Sequence, residues 1–337
     1  MAHRERRSTI RDVGRAAGVS IGTVSKALNG SGSVSDDTVR KVREAADMLG
    51  YRPSKAAQGL VGGRSFQVGY GLPVLGGWGN PTLDAFLHAM VGAAGEHGLD
   101  IVLFKAEPHG VGPYEDLIKR RVVDAFVLSD TDYEDARVDF LLEKGVPFAT
   151  FGRTARSERH YWVDVDGAEG TAQTTRHLAS RGHSRFGVIA WPEGSETGDL
   201  RLTGVTGALR SLGLPPPSVV RSTNGIEPGR QAMAELLRIA PATTAVVCVQ
   251  DELALGALAY VRSSGIDVGS VMAIAGFDDT PTASIVDPPL TTVRQPFGAV
   301  GSVLGEILGE ALEGSSPRGV LLEPTLIVRA STEGGSS

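Results

Sequence analysis

The sequence lacks the cysteines and the long apolar segments that secreted and membrane proteins depend on. Its 337 residues contain a single cysteine, Cys248, which excludes an internal disulfide framework and is typical of a reducing compartment. No segment approaches the roughly 20 consecutive apolar residues that a membrane-spanning helix needs. The basic N-terminus is not followed by the apolar run of a signal peptide. We therefore expect a cytoplasmic protein without a membrane partner.

Motifs of the common nucleotide-binding and hydrolytic enzymes are also missing. Gly69 and Gly71 resemble the start of a dinucleotide fingerprint, but position 74 is valine where the fingerprint requires glycine. There is no phosphate-binding Gly-x-x-x-x-Gly-Lys loop and no Gly-x-Ser-x-Gly nucleophile turn. The seven histidines are scattered without metal-ligand spacing. The sequence thus predicts no enzymatic activity, no metal and no cofactor.

Charge is distributed unevenly along the chain. Residues 1–64 contain twelve Lys and Arg against six Asp and Glu, whereas residues 65–337 contain 21 against 33. The net charges are therefore +6 and -12. A basic segment joined to an acidic body suits a protein that binds nucleic acid phosphates at one end and repels them elsewhere.

Two short helical patterns lie on either side of Gly18 and Ser20. Gly18 permits a tight turn between helices, and Ser20 is a natural N-cap for the second one. The apolar positions of the two helices are Ile10, Val13 and Ala17, followed by Val24, Ala27 and Leu28. This pattern predicts a helix-turn-helix DNA-binding domain within residues 1–52, whose second helix enters a major groove.

A third helix and a short hinge follow these two helices. Ser35 or Asp36 is expected to cap the third helix, whose apolar side should close the core with Val39, Val42, Ala46 and Leu49. Residues 53–64 form the predicted hinge and linker. Ser54 can cap a helix there, but the segment is short and contains Gly59, so we expect it to order only on DNA or a partner chain.

Residues 65–332 alternate short apolar strands with helical segments, a pattern typical of doubly wound α/β lobes. Two series of such units predict two lobes, and we assign the strand at 161–165 to the start of the second series. Ligands of these folds bind at the carboxyl ends of the strands. The expected ligand site therefore lies in the cleft between the lobes.

Several longer motifs resemble the lactose/galactose repressor (LacI/GalR) family of transcription regulators. In the head these are Ile10-Arg-Asp-Val13, Ala17-Gly-Val-Ser20, Thr23-Val-Ser25 and Leu49-Gly-Tyr51, followed by Pro53-Ser54 and Leu60 of the hinge. In the body they are Arg181-Gly-His183, Gln250-Asp-Glu-Leu-Ala-Leu-Gly-Ala257, Ala275-Gly-Phe-Asp-Asp279 and Asp287-Pro-Pro-Leu-Thr-Thr-Val-Arg-Gln-Pro296. The resemblance covers nearly the whole chain, to about Ala330.

The resemblance implies an all-α helix-turn-helix head and an α/β periplasmic-binding-protein-like core of two doubly wound lobes. Lobe 1 would comprise residues 65–162 and 293–320, and lobe 2 residues 163–290 and 321–332. It also implies that Ile21, Gly22 and Lys26 read bases and that Leu60 is an apolar wedge in the minor groove. The DNA-binding residues predicted in this way are Thr9, Ser20, Ile21, Gly22, Thr23, Ser25, Lys26, Asn29, Tyr51, Ser54, Ala57 and Leu60.

Polar and aromatic side chains that follow the predicted strands are candidates for an effector site, because sugars are bound by planar polar groups beside aromatic faces. Together with positions implied by the resemblance, they are Trp78, Asn80, Asp130, Arg153, Asp166, Trp191, Arg201, Asn224, Gln250 and Asp278. Alternatives remain for some of them. Asp166, Asp251 and Asp279 can instead cap the helices that follow them, and Trp191 can belong to a core.

These observations predict a transcription regulator, most simply a repressor of carbohydrate-utilisation genes controlled by a small sugar. Two heads on a two-fold axis would read a pseudo-palindromic DNA operator. The residues after Arg329 contain no apolar heptads, so we expect a homodimer and not a coiled-coil tetramer. The alternative is a sugar-binding protein of the solute-binding type without DNA regulation, against which the basic head argues.

Overall fold

The computed structural model describes residues 8–29, 34–52, 64–73, 80–107 and 110–333. The chain divides near residue 66 into a small N-terminal head and a larger body, and each has its own hydrophobic core. None of the described helices is long and apolar enough to cross a membrane.

The head contains three helices: α1 (Ile10–Ala17), α2 (Ile21–Asn29) and α3 (Asp36–Met48). Gly18 adopts a φ of 69°, the left-handed conformation that the turn between α1 and α2 needs. The Ser20 hydroxyl accepts the backbone N–H of Thr23 at 3.1 Å and so caps α2 as predicted. Of the two candidate caps for α3, Ser35 is the one that accepts an N–H, from Thr38.

The three helices bury one small apolar core. Its fully enclosed members are Val13, Val24, Ala27, Val42, Ala45 and Ala46. The prediction that Leu49 closes this core is wrong, because Leu49 lies at the C-cap of α3 and is 36% exposed. Tyr51, two residues later, packs against the core in its place.

Lobe 1 is built on a six-stranded sheet. Its strands are β1 (Gln67–Pro73), β2 (Asp100–Ala106), β3 (Ala125–Leu128), β4 (Phe148–Phe151), β5 (Tyr161–Val165) and β11 (Gly319–Leu322). They lie in the order β11-β5-β4-β3-β1-β2, and all neighbours are parallel. The helices of this lobe are α4 (Pro81–Glu96), α5 (Gly112–Lys119), α6 (Ala136–Lys144) and α12 (Phe297–Glu313), and a 3₁₀ turn spans Ser157–Arg159.

Lobe 2 is built on a four-stranded parallel sheet in the order β7-β6-β8-β9. The strands are β6 (Phe186–Ala190), β7 (Ser218–Arg221), β8 (Ala245–Cys248) and β9 (Ala273–Ala275). Its helices are α7 (Gly167–Ser180), α8 (Glu196–Ser211), α9 (Ile226–Ile239), α10 (Asp251–Ser263) and the short α11 (Pro281–Ile285). Strands β6, β8 and β9 are buried throughout, as expected of a parallel sheet covered by helices, and Cys248 belongs to that core.

The chain passes between the lobes three times, and one assignment from the sequence needs correction. Strand β5 pairs with β4 and β11 in the sheet of lobe 1, so it does not begin the second series. Its apolar pattern cannot distinguish the two lobes, because either sheet would bury it fully. The other two passages include β10 (Thr292–Arg294) and β12 (Thr325–Ile327), which pair antiparallel with each other.

Candidate functional site

The first candidate surface is the outer face of helix α2. Val24 and Ala27 point into the core of the head, and this orientation leaves Ile21, Gly22 and Lys26 exposed. Positions 22 and 26 are one helical turn apart, so they lie on one face of the helix, Gly22 in its first turn and Lys26 in its last. Ile21 is 46% exposed although it is a large apolar residue. An exposed apolar side chain beside a lysine is the kind of surface that can contact a thymine methyl group and a guanine edge.

The other predicted DNA-binding residues fall into three groups. Thr9 and Ser20 are exposed and cap α1 and α2, and the Thr9 hydroxyl donates to the Asp12 carboxylate at 2.7 Å. Thr23, Ser25 and Tyr51 are half-buried. The side chain of Asn29 and the hinge residues Ser54, Ala57 and Leu60 lie outside the described residues.

The second candidate site is a cavity of about 460 Å³ between the lobes of the body. Its walls are formed where the strands end: Ser129 and Asp130 follow β3, Gly152 follows β4, and Trp191 follows β6. Gln250 and Asp278 come just after β8 and β9. This is the location that the topology of doubly wound sheets predicts for a ligand, and the volume suits a small molecule.

The structure brings most of the predicted effector residues to this cavity, but not all. Those that line it are Asn80, Asp130, Trp191, Arg201, Asn224, Gln250 and Asp278. Arg153 and Asp166 are not among the lining residues, and Trp78 lies outside the described residues. Asn80 has a second role, because its side-chain oxygen accepts the N–H of Leu83 at 3.1 Å and caps α4.

A buried ion pair lies at the lobe 2 wall of the cavity. The Arg201 guanidinium and the Asp278 carboxylate are 3.7 Å apart, and both side chains are almost fully buried. Burial opposes both charges: it lowers the pKa of Arg201 and raises the pKa of Asp278, while each group stabilises the charge of the other. Arg201 also donates to the Val249 carbonyl at 2.5 Å and stacks 3.7 Å from the centre of the Phe277 ring. The pair is therefore held rigidly in place.

Asp278 also connects the two lobes. The hydroxyl of Thr82, at the start of α4 in lobe 1, donates to Oδ2 of Asp278 at 3.0 Å. The side-chain amide of Gln295, next to the second passage between the lobes, donates to Oδ1 at 2.6 Å. Asp278 has a φ of 116° and Asp279 a φ of 54°, conformations that are costly for residues other than glycine. The backbone is therefore strained at Asp278, whose carboxylate lines the cavity.

Asp130 is presented by a loop that a second buried ion pair organises. Arg137 and Asp135 are paired at 2.6 Å with little exposed surface. The Arg137 guanidinium also donates to the carbonyls of Ser129 and Asp130, at 3.1 and 3.0 Å. These bonds hold Asp130 at a φ of 49°. Burial raises the pKa of the Asp130 carboxyl, Arg137 partly offsets that effect, and Asp132 adds to it.

The acidic residue of the β5 end that reaches the cavity is Asp164 and not the predicted Asp166. Asp166 accepts the backbone N–H of Glu169 at 2.9 Å and so caps α7, which confirms the alternative interpretation for this residue. Asp164 lines the cavity and accepts a hydrogen bond from Nε of Arg153 at 2.9 Å. Arg153 therefore does not line the cavity itself but is the ion-pair partner of Asp164, which does.

The capping interpretation is wrong for the other two aspartates. Asp251 accepts from the hydroxyl and N–H of Thr280 and from the hydroxyl of Thr292, and so ties α10 to the loop after β9. Burial and the nearby Asp278 raise its pKa to about 7. Asp279 pairs with Arg294 and Arg329, each at 2.6 Å. Both residues hold the segments between the lobes together.

Aromatic rings form the apolar part of the cavity. Phe86 and Phe151 of lobe 1 are stacked with their centroids 4.9 Å apart. Across the cleft, the Trp191 ring lies 5.3 Å from the Arg201 guanidinium. Trp191 also packs partly against the core of lobe 2, so both interpretations of this residue hold. Such rings can support the apolar face of a sugar or another flat ligand.

The sequence missed several lining residues. Thr82 and Phe86 lie on helix α4 and not after a strand. Gln295 directly follows β10, a three-residue strand in a passage between the lobes that the strand pattern did not predict. Thr131 and Asp132 in the loop after β3, Ser195 before α8 and Thr197 in the first turn of α8 were also not predicted. Their small polar side chains are common in turns and gave no distinctive signal.

Comparison with known proteins adds independent information. The family model described as "Bacterial regulatory proteins, lacI family" matches residues 9–54, and the periplasmic binding protein-like domain matches residues 175–332. The transcriptional regulator CelR of Thermobifida fusca is 33% identical over 97% of this chain and 99% of its own length. The regulator GalS of Salmonella typhimurium is 32% identical over 91% of this chain and 90% of its own length.

Solved structures agree with these sequence matches. The lac repressor dimer bound to operator and the anti-inducer ONPF has a TM-score of 0.81 and 27% identity, covering 98% of this chain and 100% of that one. A complex of CelR with cellobiose has a TM-score of 0.73 and 30% identity, covering 96% of this chain and 100% of that one. The chain therefore belongs to the lacI family of bacterial regulatory proteins, and it is a DNA-binding transcription regulator and not an enzyme.

Proposed function

We propose that this regulator is a homodimeric, cytoplasmic repressor of carbohydrate-utilisation genes, released from a pseudo-palindromic operator by a small saccharide in the interlobe cavity. The observation that carries the proposal is the Arg201–Asp278 pair, presented together with Gln250 at the strand ends of lobe 2. Rigid, buried hydrogen-bonding groups facing aromatic rings match the chemistry of a sugar, which has hydroxyls at its edge and apolar faces.

Buried polar atoms at the cavity support a polar ligand. Among the described residues, Nε of Arg201, Oε1 of Gln250 and Nε1 of Trp191 are buried and have no hydrogen-bond partner. Leaving such groups unsatisfied is costly, and proteins rarely do so without a functional reason. A ligand with several hydroxyls can donate to the Gln250 oxygen and accept from the Arg201 and Trp191 nitrogens.

The relatives support a saccharide of modest size. The solved CelR structure that is 30% identical to this chain is a complex with cellobiose. The cavity of about 460 Å³ exceeds the volume of a single sugar ring and leaves room for a disaccharide.

The Thr82–Asp278 hydrogen bond offers a way for ligand binding to change the orientation of the two lobes. A sugar hydroxyl that donates to Oδ2 of Asp278 competes with the Thr82 hydroxyl, which reaches the same oxygen from lobe 1. Binding would therefore exchange a direct contact between the lobes for one through the ligand. A change in lobe orientation can then alter the separation of the two hinges, residues 53–64, in a dimer.

The proposal is tested by measuring sugar binding and operator binding with the same protein. A thermal-shift screen against mono- and disaccharides identifies the effector, because binding to the native state raises the unfolding temperature. Sequence selection with the full chain identifies the operator. Since coupling between two sites is reciprocal, the sugar should bind more weakly when operator is present. Equal sugar affinity with and without operator would exclude control by induction, and sugar binding without specific DNA retention would favour a solute-binding protein.

We expect Lys26→Ala to relax operator specificity. Lys26 is the charged residue on the exposed face of α2, where Ile21 and Gly22 offer little hydrogen bonding. Losing a good contact to a base edge should reduce discrimination at one position of each half-site by about 1–3 kcal/mol. Binding-site profiles of the two proteins measure this. Lys41→Ala is a suitable control, because Lys41 lies on α3 and pairs with Asp37 at 2.8 Å. An unchanged profile for Lys26→Ala would contradict a base-reading role.

A further inference from the structure

Two amide side chains of lobe 2 line the cavity, and each has a carboxylate as its neighbour. Asn224 comes after β7 and Gln250 after β8. The side-chain nitrogen of Asn224 donates to Oε2 of Glu252, in the first turn of α10, at 2.7 Å. Burial raises the pKa of Asp278, and a hydrogen bond from the Gln250 side chain is among the contacts that oppose this rise. An amide therefore lies against a carboxylate at two places in the lobe 2 wall.

A carboxylate determines which end of such an amide faces it. An ionised carboxylate only accepts hydrogen bonds, so the nitrogen end of the amide has to point toward it. Turning the Asn224 amide over would break its bond to Glu252 and bring two acceptor oxygens together. Burial and the nearby Asp278 raise the pKa of Glu252, whereas the bond from Asn224 lowers it. This bond thus also helps to keep the Glu252 carboxylate ionised.

The oxygen ends of the two amides remain as acceptors for a ligand. Gln250 is 7% exposed, and its Oε1 is buried without a partner among the described residues. Asn224 is exposed and lines the cavity, whereas Glu252 is half-buried and is not among the described lining residues. Glu252 therefore approaches Asn224 from behind the wall, and the Asn224 oxygen lies on the side away from it. The wall offers two acceptors of fixed orientation.

We propose that Glu252 is a positioning residue for the effector: by fixing Asn224 as an acceptor, it makes the cavity select saccharides that donate from free hydroxyls both to Asn224 and to Gln250. The proposal rests on the proposed function, because it concerns the same cavity. It adds the chemical groups that the effector must carry. Ethers, methoxy groups and fluorine cannot donate a hydrogen bond, so a saccharide substituted with them at either position is rejected.

One arm of the experiment needs no ligand. Asn224→Asp places two carboxylates opposite each other and should lower the thermal unfolding midpoint by about 1–3 °C. Adding Glu252→Gln exchanges the amide and the carboxylate, restores the hydrogen bond and should recover the midpoint. Adding Glu227→Gln instead is the matched control, because Glu227 is bound to Arg230 and should give no recovery. Equal midpoints with either glutamine would show that Glu252 does not hold Asn224 and would overturn the proposal.

The second arm measures binding to the full chain by calorimetry. The probes are cellobiose, the sugar in the related CelR structure, and its deoxyfluoro analogues, in which fluorine replaces one hydroxyl at a time. Fluorine at two positions should each weaken binding to the unchanged protein by about tenfold. Glu252→Gln should bind cellobiose about three- to tenfold more weakly and should lose the effect of fluorine at one of the two positions. The exchanged pair, Asn224→Asp with Glu252→Gln, should regain both effects.

The effects of fluorine distinguish positioning from a structural role. A Glu252 that only stabilised the fold would alter the affinities for cellobiose and for its analogues alike, so unchanged effects of fluorine in Glu252→Gln would overturn the proposal. Fluorine without effect at every position of cellobiose would overturn it as well. If the unchanged protein bound neither cellobiose nor any saccharide of the thermal-shift screen, the proposed function would fail, and the first arm would still decide whether Glu252 holds Asn224.

Discussion

Asp278→Asn is expected to weaken effector binding by about ten- to a hundredfold. A hydrogen bond to a charged group contributes about 1.5–3 kcal/mol, and asparagine retains the size of the side chain but not its charge. Thr82 and Gln295 donate to different carboxylate oxygens of Asp278. Asparagine has a single side-chain oxygen, so the variant can accept a hydrogen bond from one of them but not from both in the present geometry. Titration of the effector identified by screening, with and without operator, measures the effect.

Asp166→Asn is the control for this prediction. Asp166 caps α7 through the N–H of Glu169, and asparagine caps a helix as well as aspartate does. The effector affinity and the unfolding temperature of the Asp166→Asn variant should match those of the unchanged protein. If Asp166→Asn weakened the effector and Asp278→Asn did not, the assignment of the acidic ligand residue would have to be reversed.

Gly204→Ala should destabilise lobe 2 by about 3 kcal/mol, near the upper end of what overpacking costs. Helices α7 and α8 approach closely at Gly204, where an added Cβ would lie 2.0 Å from the Ala168 carbonyl oxygen and 2.3 Å from the Thr171 hydroxyl. Backbone atoms cannot move aside, so α8 must shift. Arg201 lies on the same helix, and Thr171 donates to its carbonyl at 2.7 Å. Effector affinity should therefore fall together with stability, as denaturant unfolding and calorimetry would show.

Gly207→Ala tests whether this effect is local. Gly207 lies on the same helix, but apart from the neighbouring backbone of that helix no atom lies within 4 Å of the position where its Cβ would be. Replacing a helical glycine by alanine there should stabilise the protein by about 0.5–1 kcal/mol. Equal losses in both variants would mean that helix α8 tolerates no substitution and that the contact with Ala168 is not the cause.

Local sequence patterns were sufficient to predict the helices and strands and many of the residues that line the cavity. Gly18, Ser20 and Ser35 define the turn and the starts of two head helices because their conformations and hydroxyls act within a few residues. Polar residues directly after strands were found for the same reason, since the carboxyl ends of parallel strands meet at one edge. Asn80, Asp130, Trp191 and Gln250 were identified in this way.

Other features depended on contacts between distant parts of the chain. Asp164 and Asp166 are two residues apart and chemically identical, yet one faces Arg153 in the cleft and the other caps a helix. Strand β5 has the apolar pattern of either sheet, and its pairing with β4 and with β11, more than 150 residues later, assigns it to lobe 1. The bond from Thr82 to Asp278 spans 196 residues.

The sequence by itself therefore determined the family, the head with its exposed α2 face and the location of the cavity, because periodicity, caps and strand ends are local properties. Tertiary structure alone decided which carboxylates are neutralised and which remain open to a ligand. A carboxylate's partner is chosen by the packing of both lobes, and no spacing along the chain encodes that Arg201 matches Asp278 or that Arg153 matches Asp164.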